Sequence, residues 1–232
     1  MNNKETRRKR AAVLWTGGKD CSLSFYLAKT SGYDIKELVT FVPNEGEFLA
    51  HPLRLMKYQA KALSLPHYQI VVDKPFKRSY ESAIASLKKS HGIDTLVTGD
   101  IAEVDGHPNW IRECSKESNV VVLTPLWGGQ RQELLERLIS LGFKAIFSCV
   151  KHPWFSKDWL GRELDLNAVR KLHELSAETG LDICGEEGEY HTIVLDGPIF
   201  DRSITVSYSR CAKDSIMYLN VDKIALKEKL KT

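Results

Sequence analysis

The first ordered pattern in the chain is residues 11–15 (AAVLW), a short apolar run bounded by charge on one side and a glycine loop on the other, as in a buried strand. After the polar loop at 16–20, Leu23, Tyr26 and Leu27 recur at helical spacing through 21–30. The alternation continues. Residues 37–42 (ELVTFV) predict a second strand. Residues 52–63 predict a second helix, with Leu53, Leu55, Met56, Ala60 and Leu63 as its apolar positions and Pro52 at a tolerated first position. Further strands are expected at 68–72, 95–98 and 120–123, and helices at 79–89 and 107–117. Strand and helix in regular turn predict an α/β fold built on a parallel, Rossmann-like sheet with helices on its faces. Ligands bind such sheets beyond the carboxyl ends of the strands, the edge that holds the loops beginning at Thr16, Pro43, Gly99 and Thr124.

The texture changes after Leu123. A PLWGG segment (125–129) interrupts the alternation. Helices are expected at 132–141 and 168–179, and strands at 145–150, 192–195, 204–208 and 217–221, with an aromatic, irregular stretch at 153–161. We therefore divide the chain into a tail (1–10), a first unit (11–124) and a smaller mixed α+β unit (125–232), closely packed because no low-complexity linker separates them. A length of 232 residues suits one large domain or two intimate small ones.

Composition excludes several classes. Hydrophobic residues at 43% and charged residues at 27% suit a folded core and rule out wholesale disorder. No apolar run approaches the roughly 18–20 residues of a membrane span, and no apolar segment follows the basic start to make a secretory signal. The net charge of +3 is local: residues 1–10 hold five basic residues and one acid, and the other 222 carry 28 basic and 29 acidic. A nucleic-acid footprint over the body is not expected. Five cysteines, an odd number without a C-x-x-C pair, point to a reducing, cytoplasmic setting. Cys149 and His152 are near each other, but no second pair of ligands accompanies them, so no zinc site is expected.

The first chemical constellation is T-G-G-K-D-C-S, residues 16–22. A glycine turn between a strand and a helix presents unpaired N–H groups and a positive dipole to an anion. Gly17 and Gly18 allow close backbone approach, Thr16 and Ser22 supply hydroxyls, and Lys19 adds a point charge. Asp20 repels a bare phosphate but makes sense as a holder of Mg²⁺. Position 22 is Ser where a Walker A loop needs its second glycine, and the dinucleotide fingerprint is absent. The segment instead resembles the S-G-G-x-D-S pyrophosphate loop of N-type ATP pyrophosphatases, which split ATP into AMP and pyrophosphate. Cys21 departs from that motif, since a thiol is a weak donor; Ser22 is a substitute hydroxyl, and Cys21 at a helix start is a candidate for a lowered pKa.

The second constellation, G-E-E-G-E-Y-H-T (185–192), sets Glu186, Glu187 and Glu189 between glycines and runs on into V-L-D-G-P-I-F. By its composition alone it reads first as a solvated acidic turn. With its continuation it resembles the E-G-G-E segment of the diphthine–ammonia ligase family. Four further segments are similar to that family: H-P-L-R-L-M-K-Y-Q-A-K-A-L (51–63), G-I-D-T-L-V-T-G-D-I (92–101), P-L-W-G-G-Q-R-Q-E-L-L (125–135) and W-L-G-R-E-L-D (159–165). The resemblance spans about residues 11–221, and Glu187 stands where the family usually has glycine.

The resemblance implies a sheet of the adenine-nucleotide alpha-hydrolase type, ATP and Mg²⁺ as cofactors, and amidation of a carboxylate by ammonium with release of AMP and pyrophosphate. The acceptor it implies is diphthine on the translocation elongation factor; another carboxylate in a bacterium and a non-enzymatic ATP sensor are the alternatives. A homodimer is also left open. For the nucleotide we expect Thr16, Gly17, Gly18, Lys19, Asp20, Ser22, Val42, Gly99 and Asp100, with Asp20 on Mg²⁺. For the acceptor we expect Trp127, Glu186, Glu189 and His191, and for catalysis Lys19, Asp20 and Glu189. His51 and His107 are placed near the cleft.

Overall fold

The computed structural model describes residues 9–44, 48–103 and 109–229. His107 lies outside them. Five strands, β1 (Arg10–Leu14), β2 (Asp34–Pro43), β3 (His67–Val72), β4 (Thr95–Val97) and β5 (Val121–Leu123), form a sheet in the order β3-β2-β1-β4-β5, parallel throughout. Ala11 and Val13 face one core cluster and Ala12 the other, all fully buried, as a strand sandwiched between helix layers requires. The strand order turns back on either side of β1, so the loops after β1 and β4 flank a crevice at their carboxyl ends.

The connecting helices are α1 (Lys19–Thr30), α2 (Leu53–Ala62), α3 (Phe76–Ser86) and α4 (Trp110–Cys114). α1 begins two residues before the apolar spacing suggested. α3 begins three residues early and closes in a π-helical turn, Leu87–His91, ended by Gly92 in the left-handed region. The helix expected at 107–117 is described only as the short α4, capped by the Asn109 side chain on the Arg112 N–H.

Helices α5 (Arg131–Ser140) and α6 (Leu166–Thr179) pack beside a second sheet, β6 (Lys144–Lys151), β7 (Tyr190–Asp196), β8 (Arg202–Lys213) and β9 (Ile216–Glu228), which is antiparallel in the order β7-β6-β9-β8. The α/β architecture with a mixed α+β second half is thus as expected. β8 and β9 form one hairpin more than twice as long as the two apolar runs that announced it; most of the added residues are polar and exposed, but Ile224 and Leu226 extend the inward face of β9. The main core cluster is continuous from β1, α1 and α2 to β6, β7 and β9, joining Trp15, Leu23 and Met56 to Phe147 and Ile193. Burying each large apolar side chain there contributes about 1.5–3 kcal/mol. Among the described residues, no helix is long and apolar enough to cross a membrane.

Candidate functional site

The amino end of α1 meets β7 at the crevice. Gly18 occupies the cap position without a side-chain acceptor, so nothing on the loop itself satisfies the first N–H groups. A cavity of about 410 Å³ opens there. Its floor is Thr16 and Gly18–Cys21; Thr40, Phe41, Tyr80 and Ile111 make an apolar end; Thr98, Gly99 and Asp100 close one side. The second half contributes Gly185, Glu186, Gly188 and the first three residues of β7, while His51 enters from the turn before α2. The cavity thus joins an apolar pocket, a helix amino end and an acidic turn.

Lys19 is nearly buried. Its Nζ donates to Asp20 Oδ2 at 2.7 Å and to the Cys184 carbonyl at 2.5 Å, and lies 5.4 Å from the Tyr190 ring centre. Burial works against its charge, but Asp20, with help from Tyr190, Cys184 and Glu186, outweighs burial and raises its pKa. Lys19 is therefore a fixed cation that links the loop to the second half. The backbone N–H of Lys19 donates to Thr192 Oγ1 at 3.0 Å. The Val194 N–H donates to the Gly17 carbonyl at 2.9 Å, so β7 pairs with the back of the loop.

Of the three glutamates in the acidic turn, one faces the cavity. Glu186 lines it, and burial, then the neighbouring Asp20 charge, push its carboxyl up to about 7. Glu187, at the departure from the family pattern, is exposed and outside the lining. Glu189, expected in catalysis and against the acceptor, is buried and does not line the cavity. Its two oxygens accept the backbone N–H groups of Asp182 at 2.8 Å and Glu187 at 3.0 Å, so it organises the turn that presents Glu186. His191 lines the cavity with His51, their rings edge to face at 4.8 Å. Burial lowers both imidazoles, His51 to about 3 with help from His191, and His191 to about 4 with help from Lys19; both are neutral near pH 7.

The structure thus brings Thr16, Gly18, Lys19, Asp20, Gly99, Asp100, Glu186 and His191 to one cavity. Besides Glu189, four expected nucleotide or acceptor residues stand apart. Gly17 lies behind the loop with φ +79°, its carbonyl turned to β7. Ser22 is buried and donates to the Gly18 carbonyl at 2.8 Å, so it is no replacement for a loop hydroxyl in the cavity. Val42 is buried just past the β2 residues that line the wall, and Trp127 is exposed against the Arg112 guanidinium. Cys21 does line the cavity, but burial raises its thiol, which removes the expected lowering. Sequence reasoning missed Thr192 and Gln59. The signal for Gln59 was available: it sits between Leu55, Met56 and Ala60 on the buried face of α2, where an amide needs a reason.

Among the described residues, no cluster of three or more His, Cys, Asp or Glu can hold a metal by itself. The lining carboxylates are Asp20, Asp100 and Glu186, which suits a Mg²⁺ that arrives with phosphates and keeps most of its ligands from them and water.

Residues 9–121 match the diphthamide synthase N-terminal domain, and residues 130–226 match the diphthamide synthase C-terminal domain. The chain belongs to the diphthamide synthase family. A diphthine–ammonia ligase of Mus musculus is 27% identical over 255 residues, covering 95% of this chain and 94% of that protein. The Homo sapiens protein of the same name is 26% identical with the same coverage, and that of Schizosaccharomyces pombe is 25% identical over 93% of this chain but 39% of its own length. A solved structure from Methanocaldococcus jannaschii, described as a predicted subunit of tRNA methyltransferase, superposes with a TM-score of 0.47 at 19% identity, covering 82% of this chain and 97% of that one. For this member of the diphthamide synthase family, both matched domains contribute residues to the cavity.

Proposed function

We propose that this chain is an ATP-dependent carboxylate–ammonia ligase that converts diphthine, on the translocation elongation factor, to diphthamide in the cytoplasm. The observation that carries this reading is the glycine-flanked start of α1, without a capping side chain of its own, opening into a cavity whose far wall is Glu186 and His191. The relatives named diphthine–ammonia ligase support the choice of acceptor. In this reading residues 11–124 hold ATP and residues 125–232 hold the acceptor. Adenine occupies the apolar end by Phe41, Tyr80 and Ile111, and the phosphates lie over Thr16, Gly18 and Lys19.

A carboxylate resists ammonia because its carbon is shielded by negative charge. Attack of a carboxylate oxygen on the α-phosphorus breaks the bond to pyrophosphate and leaves an acyl-adenylate. Lys19 and the N–H groups at the helix start stabilise the leaving charge, and Mg²⁺ held by Asp20, when bound, adds to it. Ammonia then attacks the acyl carbon, and the acyl–oxygen bond to AMP breaks. Glu186 takes the surplus proton: a carboxyl held near 7 is ionised often enough to accept it and protonates readily. The imidazoles of His51 and His191, kept neutral, orient the acceptor without adding charge.

The test is product analysis. Chromatography of a reaction with ATP, Mg²⁺, ammonium and diphthine-bearing elongation factor should yield AMP and pyrophosphate in equal amounts, with label from ammonium on the factor. Asp20→Ala should weaken ATP binding by about tenfold, the scale of one lost charge contact. ADP as the sole product would refute the chemistry, and label on a small metabolite would move the acceptor to a different carboxylate.

A further inference from the structure

Gln59 is fully buried on α2, outside the cavity lining, and no step above uses it. Its side chain makes three buried hydrogen bonds. The amide Nε2 donates to the Gly17 carbonyl at 2.9 Å and to the Val194 carbonyl at 2.8 Å, and Oε1 accepts from Trp15 Nε1 at 3.0 Å. Indole is a donor only, so it fixes which end of the amide is oxygen, and both amide protons then point at carbonyls. Three separate elements meet at this one group: the end of β1 through Trp15, the loop through Gly17, and β7 through Val194. The fit is close on all sides, since a Cβ on Gly17 would stand 2.3 Å from Oε1.

The two carbonyls that Gln59 joins are also tied by the chain, because Val194 N–H donates to the Gly17 carbonyl and Lys19 N–H donates to Thr192 Oγ1. The nucleotide loop is in effect stitched to β7, the strand that carries His191 and Thr192, and Gln59 clamps the seam from behind. We propose that Gln59 is a positioning residue that sets the register of the loop at 16–19 against β7, and so fixes the distance between the two halves of the cavity. It touches no reacting atom; it acts through the Gly17 carbonyl and the Val194 carbonyl. An apolar residue of the same size would fill the space, leave the indole N–H without its acceptor in a dry site and take one donor each from the Gly17 and Val194 carbonyls, the former keeping only the Val194 N–H, which favours local opening of the seam toward the cavity or toward water.

The alignment of the loop has a readout that needs no ligand. In the full chain, Gln59→Met keeps the volume of the side chain and removes its hydrogen bonds. Hydrogen exchange of the Lys19 and Val194 amides should quicken by about tenfold or more, while amides inside β2 and β6 stay close to wild type, since the opening is local. The second readout rests on the function proposed above. ATP affinity by calorimetry should fall by about tenfold, whereas Leu172→Ala on α6, a core truncation with a comparable or larger loss of melting temperature, should leave it unchanged. Lys19 and Val194 exchange as slow as in wild type in folded Gln59→Met overturns the proposal. A wild type that binds no ATP sinks the ligase reading alone, and the exchange result still decides the role of Gln59. Should Gln59→Met fail to fold, Gln59→Asn, too short to reach both carbonyls, is judged by the same exchange ratio.

Discussion

At the scale of single residues, two glutamates three positions apart have opposite duties. Glu186 faces the cavity with its carboxyl near 7, while Glu189 is turned into its own turn. Glu186→Gln should cut amide formation by about a hundredfold or more, the usual scale for a lost acid–base group. A base must be ionised, so the wild-type rate should climb as pH passes about 7 and the variant's profile should lose that rise. Glu189→Gln should act on stability. The amide keeps one acceptor oxygen and sets an NH₂ against a backbone N–H, leaving a buried donor unpaired at a cost of about 1–3 kcal/mol. A melting temperature lower by several degrees, with ATP affinity close to wild type, is the expected result. Unchanged stability with lost turnover would restore Glu189 to the chemistry. The sequence could not separate these two acids: both sit in one glycine-bounded turn, and which way a turn side chain points leaves no periodic trace.

At the scale of elements, the start of α1 depends on a glycine eighty residues away. A Cβ on Gly99, in the turn after β4, would stand 2.8 Å from the Cys21 nitrogen and 2.9 Å from the Asp20 carbonyl carbon. Both are backbone atoms of the first helical turn and have no side-chain freedom with which to yield. Gly99→Ala should therefore push the β4 turn and α1 apart, weakening ATP binding by about tenfold with a destabilisation of about 1–3 kcal/mol, the range for overpacking. Calorimetry and thermal melts together check it; normal affinity in a destabilised protein would detach Gly99 from the nucleotide site. What was legible here was the alternation. β1 reads from a run of buried apolar residues and α2 and α3 from a one-sided stripe, whereas α1 buries residues 21–25 in succession and was read from Leu23, Tyr26 and Leu27 alone. The long hairpin was only half legible, since charged and small residues such as Arg210, Lys213, Asp222 and Lys223 interrupt the alternation, and the inward Ile224 and Leu226 follow that break. The helix start was shifted because Gly18 offers no capping side chain to mark it. Gln59 showed as an amide on the buried face of α2, but its partners did not, and Thr192 is an ordinary polar residue until β7 is folded against the loop.

At the scale of the whole molecule, the buried junction links stability to pH through groups of opposite sign. His51 and His191 have folded values of about 3 and about 4 against an ordinary 6.5, so they contribute stability that is present above 6.5 and lost as pH falls toward those values. Glu186, raised from 4.5 to about 7, contributes the other way: its stability is present below 4.5 and lost as pH rises through 7. Between 4.5 and 6.5 the unfolded chain holds a proton on each histidine and none on the glutamate, whereas the folded chain holds one on Glu186 alone. From these three groups the unfolded state binds about one proton more, so stability should rise with pH across that window. Variants change the slope in a definite order. Glu186→Gln removes the opposing group, and the excess should grow to about two protons. The double variant His51→Asn with His191→Asn leaves Glu186 alone, and its contribution should make stability fall with pH by about one proton, a reversal relative to wild type of about two. Urea midpoints at about pH 5 and about pH 6 measure all three slopes, and subtracting the wild type isolates these groups because the rest of the chain titrates alike. Three parallel slopes would mean that water reaches the junction and the imidazoles titrate as in the unfolded chain, which would also remove the ground for treating His51 and His191 as neutral partners of the acceptor.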